Sequence, residues 1–248
     1  MKIIASDFDG TFSHNGVDAA KKDAVKRWRD AGNVIGLVSG RGRGDVLGIG
    51  KESGVDFDFF IANNGSVILD GKGNTIKEFR GDGDVIDPLV RFILDIGGRD
   101  FALYSGQVTI IKNRPDRCKE GECTVDDLPP VPYFTQITAF MPNGDEAQRI
   151  TDAVREKFGD KVNPLQNGGC VDIVPAGIDK SAGIYALIEH LGAKKEDVIA
   201  VGDNVNDKAM IAEFFSYAMD NAVDEIKAIA DRSTPSVTDM IERELSLI

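Results

Sequence analysis

Two carboxylates one residue apart, in the run Asp7-Phe8-Asp9-Gly10-Thr11, follow directly on the short apolar stretch Ile3-Ile4-Ala5-Ser6. Spacing i, i+2 at the end of a strand puts both on one side, and Gly10 permits the sharp turn beyond them. In an open α/β sheet, ligands bind outside the carboxyl ends of the strands, so this pair would face that crevice. An ordinary turn or helix cap uses the same residue types, and three further segments weigh against it. Val38-Ser39-Gly40-Arg41 closes a second apolar run with a hydroxyl and a backbone N–H that suit an anion. Gly202-Asp203-Asn204-Val205-Asn206-Asp207 closes the last run with more carboxylates. Lys180 falls in the first turn of a helix expected from Asp179, where a cation opposes the helix dipole at a cost on the order of a few tenths of a kcal/mol or more. A bound phosphate or nearby carboxylates would offset that cost. Any one of these sets is a weak signal. All four at strand or helix ends point to one crevice.

The elements that must position these residues are short strands and amphipathic helices. Ile3 to Ser6, Val34 to Val38 and Val198 to Val201 are brief and rich in Val and Ile, as strands buried on both faces of a parallel sheet are. Between the first two, Val17, Ala20, Ala24, Trp28 and Ala31 recur at helical spacing, and Gly32 stands where a C-terminal cap glycine belongs. After Asp179, Ile184, Leu187, Ile188 and Leu191 form a second stripe, closed by Gly192. The expected fold is therefore α/β, a doubly wound parallel sheet. The middle reads differently. Phe79 to Asp84 is a polar, glycine-rich hinge candidate. Beyond it come a helix near Val85 to Leu94, strands near Phe101 to Tyr104, Val108 to Ile111 and Gln136 to Met141, and a helix carrying Ala147, Ile150, Val154 and Phe158. This reads as a small α+β module over 83–170, inserted into a discontinuous core of 1–82 and 171–248, with the return near Cys170 to Pro175.

Composition narrows the partners. The chain has 248 residues and a formal net charge of −12, with a pI near 4.7. That balance argues against coating nucleic acid or an anionic membrane, but not against a small anionic substrate, which responds to a local field. Cys118, Cys123 and Cys170 lack the spacing of a zinc or redox motif and read as reduced thiols. No apolar run approaches the ~18 residues of a membrane span, and the first strand begins at once, so a cytoplasmic protein without a signal peptide is expected. Gly40-Arg41-Gly42-Arg43-Gly44 lacks the spacing of a dinucleotide fingerprint. Oligomeric state is not legible.

Asp7-x-Asp9-Gly10-Thr11, Ser39-Gly40-Arg41, Lys180 and Gly202-Asp203-x-x-Asn206-Asp207, in this order, resemble the four motifs of the haloacid dehalogenase superfamily. Asn63-Asn64-Gly65, the Ala218 to Ala222 segment and the placing of the insert resemble the Cof-type branch with a C2B cap. Val205 and Asp220 depart from the branch pattern outside the core catalytic positions. The resemblance implies a Rossmannoid core and an Mg²⁺-dependent phosphomonoester hydrolase acting on a small phosphorylated metabolite, such as a sugar phosphate or phosphoglycolate. By resemblance, Asp7 is the nucleophile that forms an aspartyl-phosphate. Mg²⁺ is held by Asp7, the Asp9 carbonyl and Asp203, with Asp207 in support. Ser39, Gly40 and Lys180 hold the phosphoryl group, and Asn206 orients Lys180 or the phosphate.

Asp9 would protonate the leaving group and then activate water, work that suits a carboxyl whose pKa is raised by neighbouring carboxylates. Relatives that dehalogenate lack this second Asp, and P-type ATPases carry Thr there. Arg41 and Arg43 are candidates for substrate contact, as is Thr11, whose stronger expectation is to steady the loop. Arg114, Arg117 and Lys119 in the insert read first as a solvated charge run, and His14 as a loop histidine. A phosphomutase of the same superfamily is the nearer alternative. A receiver-type phosphoacceptor module also gathers acids, a Lys and Mg²⁺, but its phosphorylated Asp sits on a middle strand and it has no use for a cap.

Overall fold

The computed structural model describes residues 1–14 and 16–247. The chain forms two compact units, one of residues 1–77 and 180–248, the other of 78–179.

In the first unit the Val- and Ile-rich runs are strands buried along almost their whole length. Ile3–Ser6 lies between Val34–Val38 and Val198–Gly202, parallel to both. Phe59–Ala62, Phe215–Met219 and Arg232–Thr234 extend the parallel sheet, and the antiparallel Val67–Asp70 and then Thr75–Glu78 complete its other edge. Parallel neighbours about 4.8 Å apart finish at one edge. The loops carrying Asp7, Ser39 and Asp203 are thereby made adjacent by strand register alone. This is the expected doubly wound α/β layer.

The helix Ala19–Asp30 is capped by the Asp18 carboxylate, which accepts the Lys21 N–H at 2.8 Å, and ends at Gly32 with φ +82°. Its buried face is turned from the expected one. Ala20 and Ala31 are exposed, while Lys21 and Val25 join Ala24 and Trp28 inside. The Trp28 indole donates to the Val34 carbonyl at 2.8 Å, which fixes the helix against the next strand.

The second unit is α+β. Its sheet runs, edge to edge, Val162–Asn167, Cys170–Pro175, Gln136–Phe140, Asp100–Ser105, Gln107–Lys112 and Cys123–Thr124. The helices Ile86–Asp95 and Gly144–Phe158 bring Leu89, Ile93, Ile150 and Val154 into one core with Phe101, Ile137 and Ile173. Two boundaries differ from expectation. Cys170–Pro175 is an inner strand of this sheet, so the return to the first unit comes only at Lys180. The unit also begins earlier, at Glu78, and the hinge candidate lies inside it, with Gly81–Asp82 paired to Tyr133–Phe134. A Cβ on Gly83 would stand 1.9 Å from the Val131 carbonyl oxygen. Glycine there serves close packing, not bending. Among the described residues no helix is long and apolar enough to cross a membrane.

Gly83→Ala is therefore expected to lower stability by about 1–3 kcal/mol through overpacking, read from the urea midpoint; a freely bending hinge would leave the midpoint unchanged.

Candidate active site

Asp7 extends the pairing of the first strand, its N–H donating to Val201 O at 3.0 Å. The turn Phe8–Phe12 then folds back, with Gly10 at φ +81°. A Cβ on Gly10 would lie 2.4 Å from Asp203 Oδ2, so glycine is required both by the backbone and by the approach of the second loop. Thr11 Oγ1 donates to Asp203 Oδ1 at 2.5 Å, a bond that braces the two loops against each other. Asn221 Nδ2 donates to Gly10 O at 3.0 Å, and the Val223 N–H to Asp203 O at 3.0 Å. No spacing signal singles out Asn221 from its segment, because a clamp on the backbone leaves none.

Lys180 begins the helix Lys180–Leu191 and is wholly buried. Its Nζ donates to Asp7 Oδ1 at 2.7 Å and to Asp207 Oδ1 at 2.5 Å. The two carboxylates answer the cost of a cation at a helix start. Asp207 is also buried, and its Oδ2 accepts the N–H groups of Asp203 at 2.9 Å and Asn204 at 3.0 Å. Both oxygens of Asp207 are thus engaged within the protein. Burial, and next the Asp207 charge, push the Asp7 carboxyl well above its usual range, against the pull of Lys180. Burial also raises Asp203, in part countered by the Thr11 hydroxyl. On Lys180 burial acts downward, but Asp207 and Asp7 outweigh it and hold the ammonium protonated.

Carboxylate oxygens of Asp7, Asp203 and Asp207 lie within 4.8 Å of one another. Three carboxylates and one ammonium sum to −2, the charge that one divalent cation cancels, and the all-oxygen donor set suits a hard ion. The residues fit a metal.

Other expected residues fall in or out of this centre. Ser39 is buried at the adjoining strand end, where its Oγ accepts the Arg41 N–H at 3.2 Å, and Gly40 follows it. Asn206 is half-buried in the Asp203–Asp207 loop, but among the described residues the Lys180 ammonium is held by Asp7 and Asp207 and not by Asn206. The Asp9 carboxylate faces Arg41, not other acids, with Nε–Oδ2 at 2.7 Å and Nη2–Oδ1 at 2.8 Å. Arg43 turns away, to Thr75 Oγ1 and Gly73 O. In the second unit Arg114 pairs with Asp116 on the exposed surface, whereas Arg117 departs from the expected solvated run and makes part-buried bonds to Asn113 and Asp100.

Comparison with known proteins agrees with this geometry. Residues 4–240 match the family described as haloacid dehalogenase-like hydrolase. The chain belongs to that family. An HMP-PP phosphatase of Yersinia enterocolitica is 24% identical over 91% of this chain and 86% of its own. The 5-amino-6-(5-phospho-D-ribitylamino)uracil phosphatase of Bacillus subtilis is 24% identical over 92% and 90%. A HAD/COF-like hydrolase structure from Plasmodium vivax superposes with a TM-score of 0.85 at 20% identity, covering 100% of this chain and 96% of that one.

Lys180→Met in the hydrolase leaves buried carboxylates without their cation and is expected to cost about 3–5 kcal/mol at neutral pH. The loss should shrink at pH 5, where protonated carboxyls need no cation; urea melts at the two pH values check it.

Proposed function

We propose that the protein hydrolyses small phosphomonoesters, such as sugar phosphates or a phosphoglycolate-like acid, through an aspartyl-phosphate on Asp7. The observation that carries this reading is the buried Lys180 ammonium shared between Asp7 and Asp207, with Asp203 alongside. Lys180 holds Asp7 Oδ1 and so fixes which way the carboxylate faces. Asp7 attacks phosphorus as the bond to the leaving oxygen breaks, and Asp9 gives that oxygen its proton. Water then cleaves the acyl phosphate, with Asp9 taking a proton back and Asp7 restored. Lys180, the Ser39 hydroxyl and the Gly40 N–H are assigned to the phosphoryl oxygens, and Asn206 to the same group rather than to Lys180.

Mg²⁺ bound by Asp7, Asp203 and the Asp9 carbonyl would neutralise charge on the phosphoryl group. Asp207, with both oxygens engaged, supports that site by setting the Asp203 loop and holding Lys180. Arg41 must release the Asp9 carboxylate for it to carry protons. The named activities of the relatives, both on small phosphorylated metabolites, support the substrate class.

Purified protein is expected to release phosphate from an aryl phosphate only with Mg²⁺. Asp7→Asn should abolish release, and Asp9→Asn should slow it about 10²–10⁴-fold. Phosphate release by Asp7→Asn would overturn the nucleophile; isomerisation of a sugar phosphate without release would point to a mutase.

The metal has its own signature. Asp7 and Asp203 keep their protons to higher pH in the fold than in the unfolded chain, so metal-free stability falls as pH rises above the ordinary carboxylate range. Protons and metal compete for the same oxygens. The rise in Tm on adding Mg²⁺ should therefore be larger at pH 8 than at pH 5.5, read against EDTA by thermal melts.

A further inference from the structure

Lys21 breaks two local rules. It stands in the first turn of the helix Ala19–Asp30, where a cation opposes the dipole, and it is only 5% exposed. Among the described residues no carboxylate lies within ion-pair distance of its ammonium. Instead Nζ donates to three backbone carbonyls, Phe12 O at 2.6 Å, Gly16 O at 2.7 Å and His14 O at 3.3 Å. A desolvated monovalent cation is held by a chain in this manner, with the carbonyl dipoles turned inward. The residues that supply those carbonyls leave the turn that carries Asp7 and Asp9. The Phe12 N–H donates to Asp7 O at 3.2 Å, and the Ser13 N–H to Phe8 O at 2.8 Å. One residue earlier, Thr11 braces Asp203. Both backbone groups of Phe12 are thus fixed, the carbonyl by Lys21 and the amide by Asp7. Packing alone would be served by Met, which has the same reach and no charge to bury. Departures from local rules concentrate at functional sites.

We propose that Lys21 is a positioning residue for phosphoryl transfer: its buried ammonium gathers the Phe12, His14 and Gly16 carbonyls and thereby holds the Asp7–Thr11 turn in register with Asp203. The proposal rests on the phosphatase reading for its kinetic arm and not for its structural one.

In Lys21→Met at saturating Mg²⁺, kcat on an aryl phosphate should fall about tenfold or more, as small misplacements of reacting groups do. KM should stay within about twofold, and the Phe12 and Ser13 amides should exchange hydrogen faster than in the unmodified protein. In Lys21→Ala, ammonium chloride should restore part of kcat where tetramethylammonium chloride, too large for the carbonyl cage, does not. A folded Lys21→Met with unchanged kcat and unchanged exchange overturns the proposal. So does a loss of kcat that tracks only the unfolded fraction. Should Lys21→Met fail to fold, Lys21→Ala refolded in ammonium decides: fold with activity supports positioning, and fold without activity reduces Lys21 to an anchor. If the unmodified protein releases no phosphate, the phosphatase reading fails, while exchange of the turn still decides whether Lys21 orders it.

Discussion

The Lys180 ammonium, buried between Asp7 and Asp207, is the contact on which the rest depends. Removing an ion from water costs several kcal/mol even after relaxation, and only close, well-formed partners return it. No member of this trio is tolerable alone. The contact also joins chain segments on either side of the insert, since Asp7 belongs to residues 1–77 and both Lys180 and Asp207 to 180–248. The interaction that orients the carboxylates therefore also ties together the halves of the discontinuous unit.

Strand register then does most of the positioning. Because Ile3–Ser6 is flanked in parallel by Val34–Val38 and Val198–Gly202, three loops emerge side by side without further specification. What remains is the fine setting of the loops, and here short-range bonds take over. Gly10 admits Asp203 where no other residue would, Thr11 and Asn221 bind the loops across, and Asp207 accepts two amides of its own loop. The excess of acid in the composition says little about this. Locally, three carboxylates and one ammonium leave two negative charges gathered in a place from which water is largely excluded, and such a place attracts a divalent cation and, through it, an anion.

The fold class and the central acids were legible because each signal is local: an apolar run, then a carboxylate, then a glycine. Long-range pairing was not. Nothing near Arg41 or Arg43 in sequence says that one meets Asp9 and the other meets the hairpin at Gly73 and Thr75. Lys21 reads as one more solvated lysine of an amphipathic helix, and only the carbonyls brought to it by the preceding turn reveal otherwise. The insert boundaries slipped for a related reason. Cys170–Pro175 is as apolar as a core strand, and its membership is decided by the partners it pairs with, which composition does not encode.

The two ion pairs beside the turn differ in a way that suits different work. Lys180 and Asp7 are sealed from solvent, whereas Asp9 and Arg41 remain 56% and 46% exposed in their side chains. An exposed pair is worth about 0.2–1 kcal/mol, within reach of thermal exchange, while breaking a buried one costs several. In the proposed reaction Asp7 must present one oxygen in one direction, and rigidity is an advantage because reorganisation is then spared at the moment of attack. Asp9 must visit first a leaving oxygen and then a water, and a carboxylate locked in place would serve only one of them. Burial alone, acting on two carboxylates of one turn, sorts them into a fixed group and a movable one.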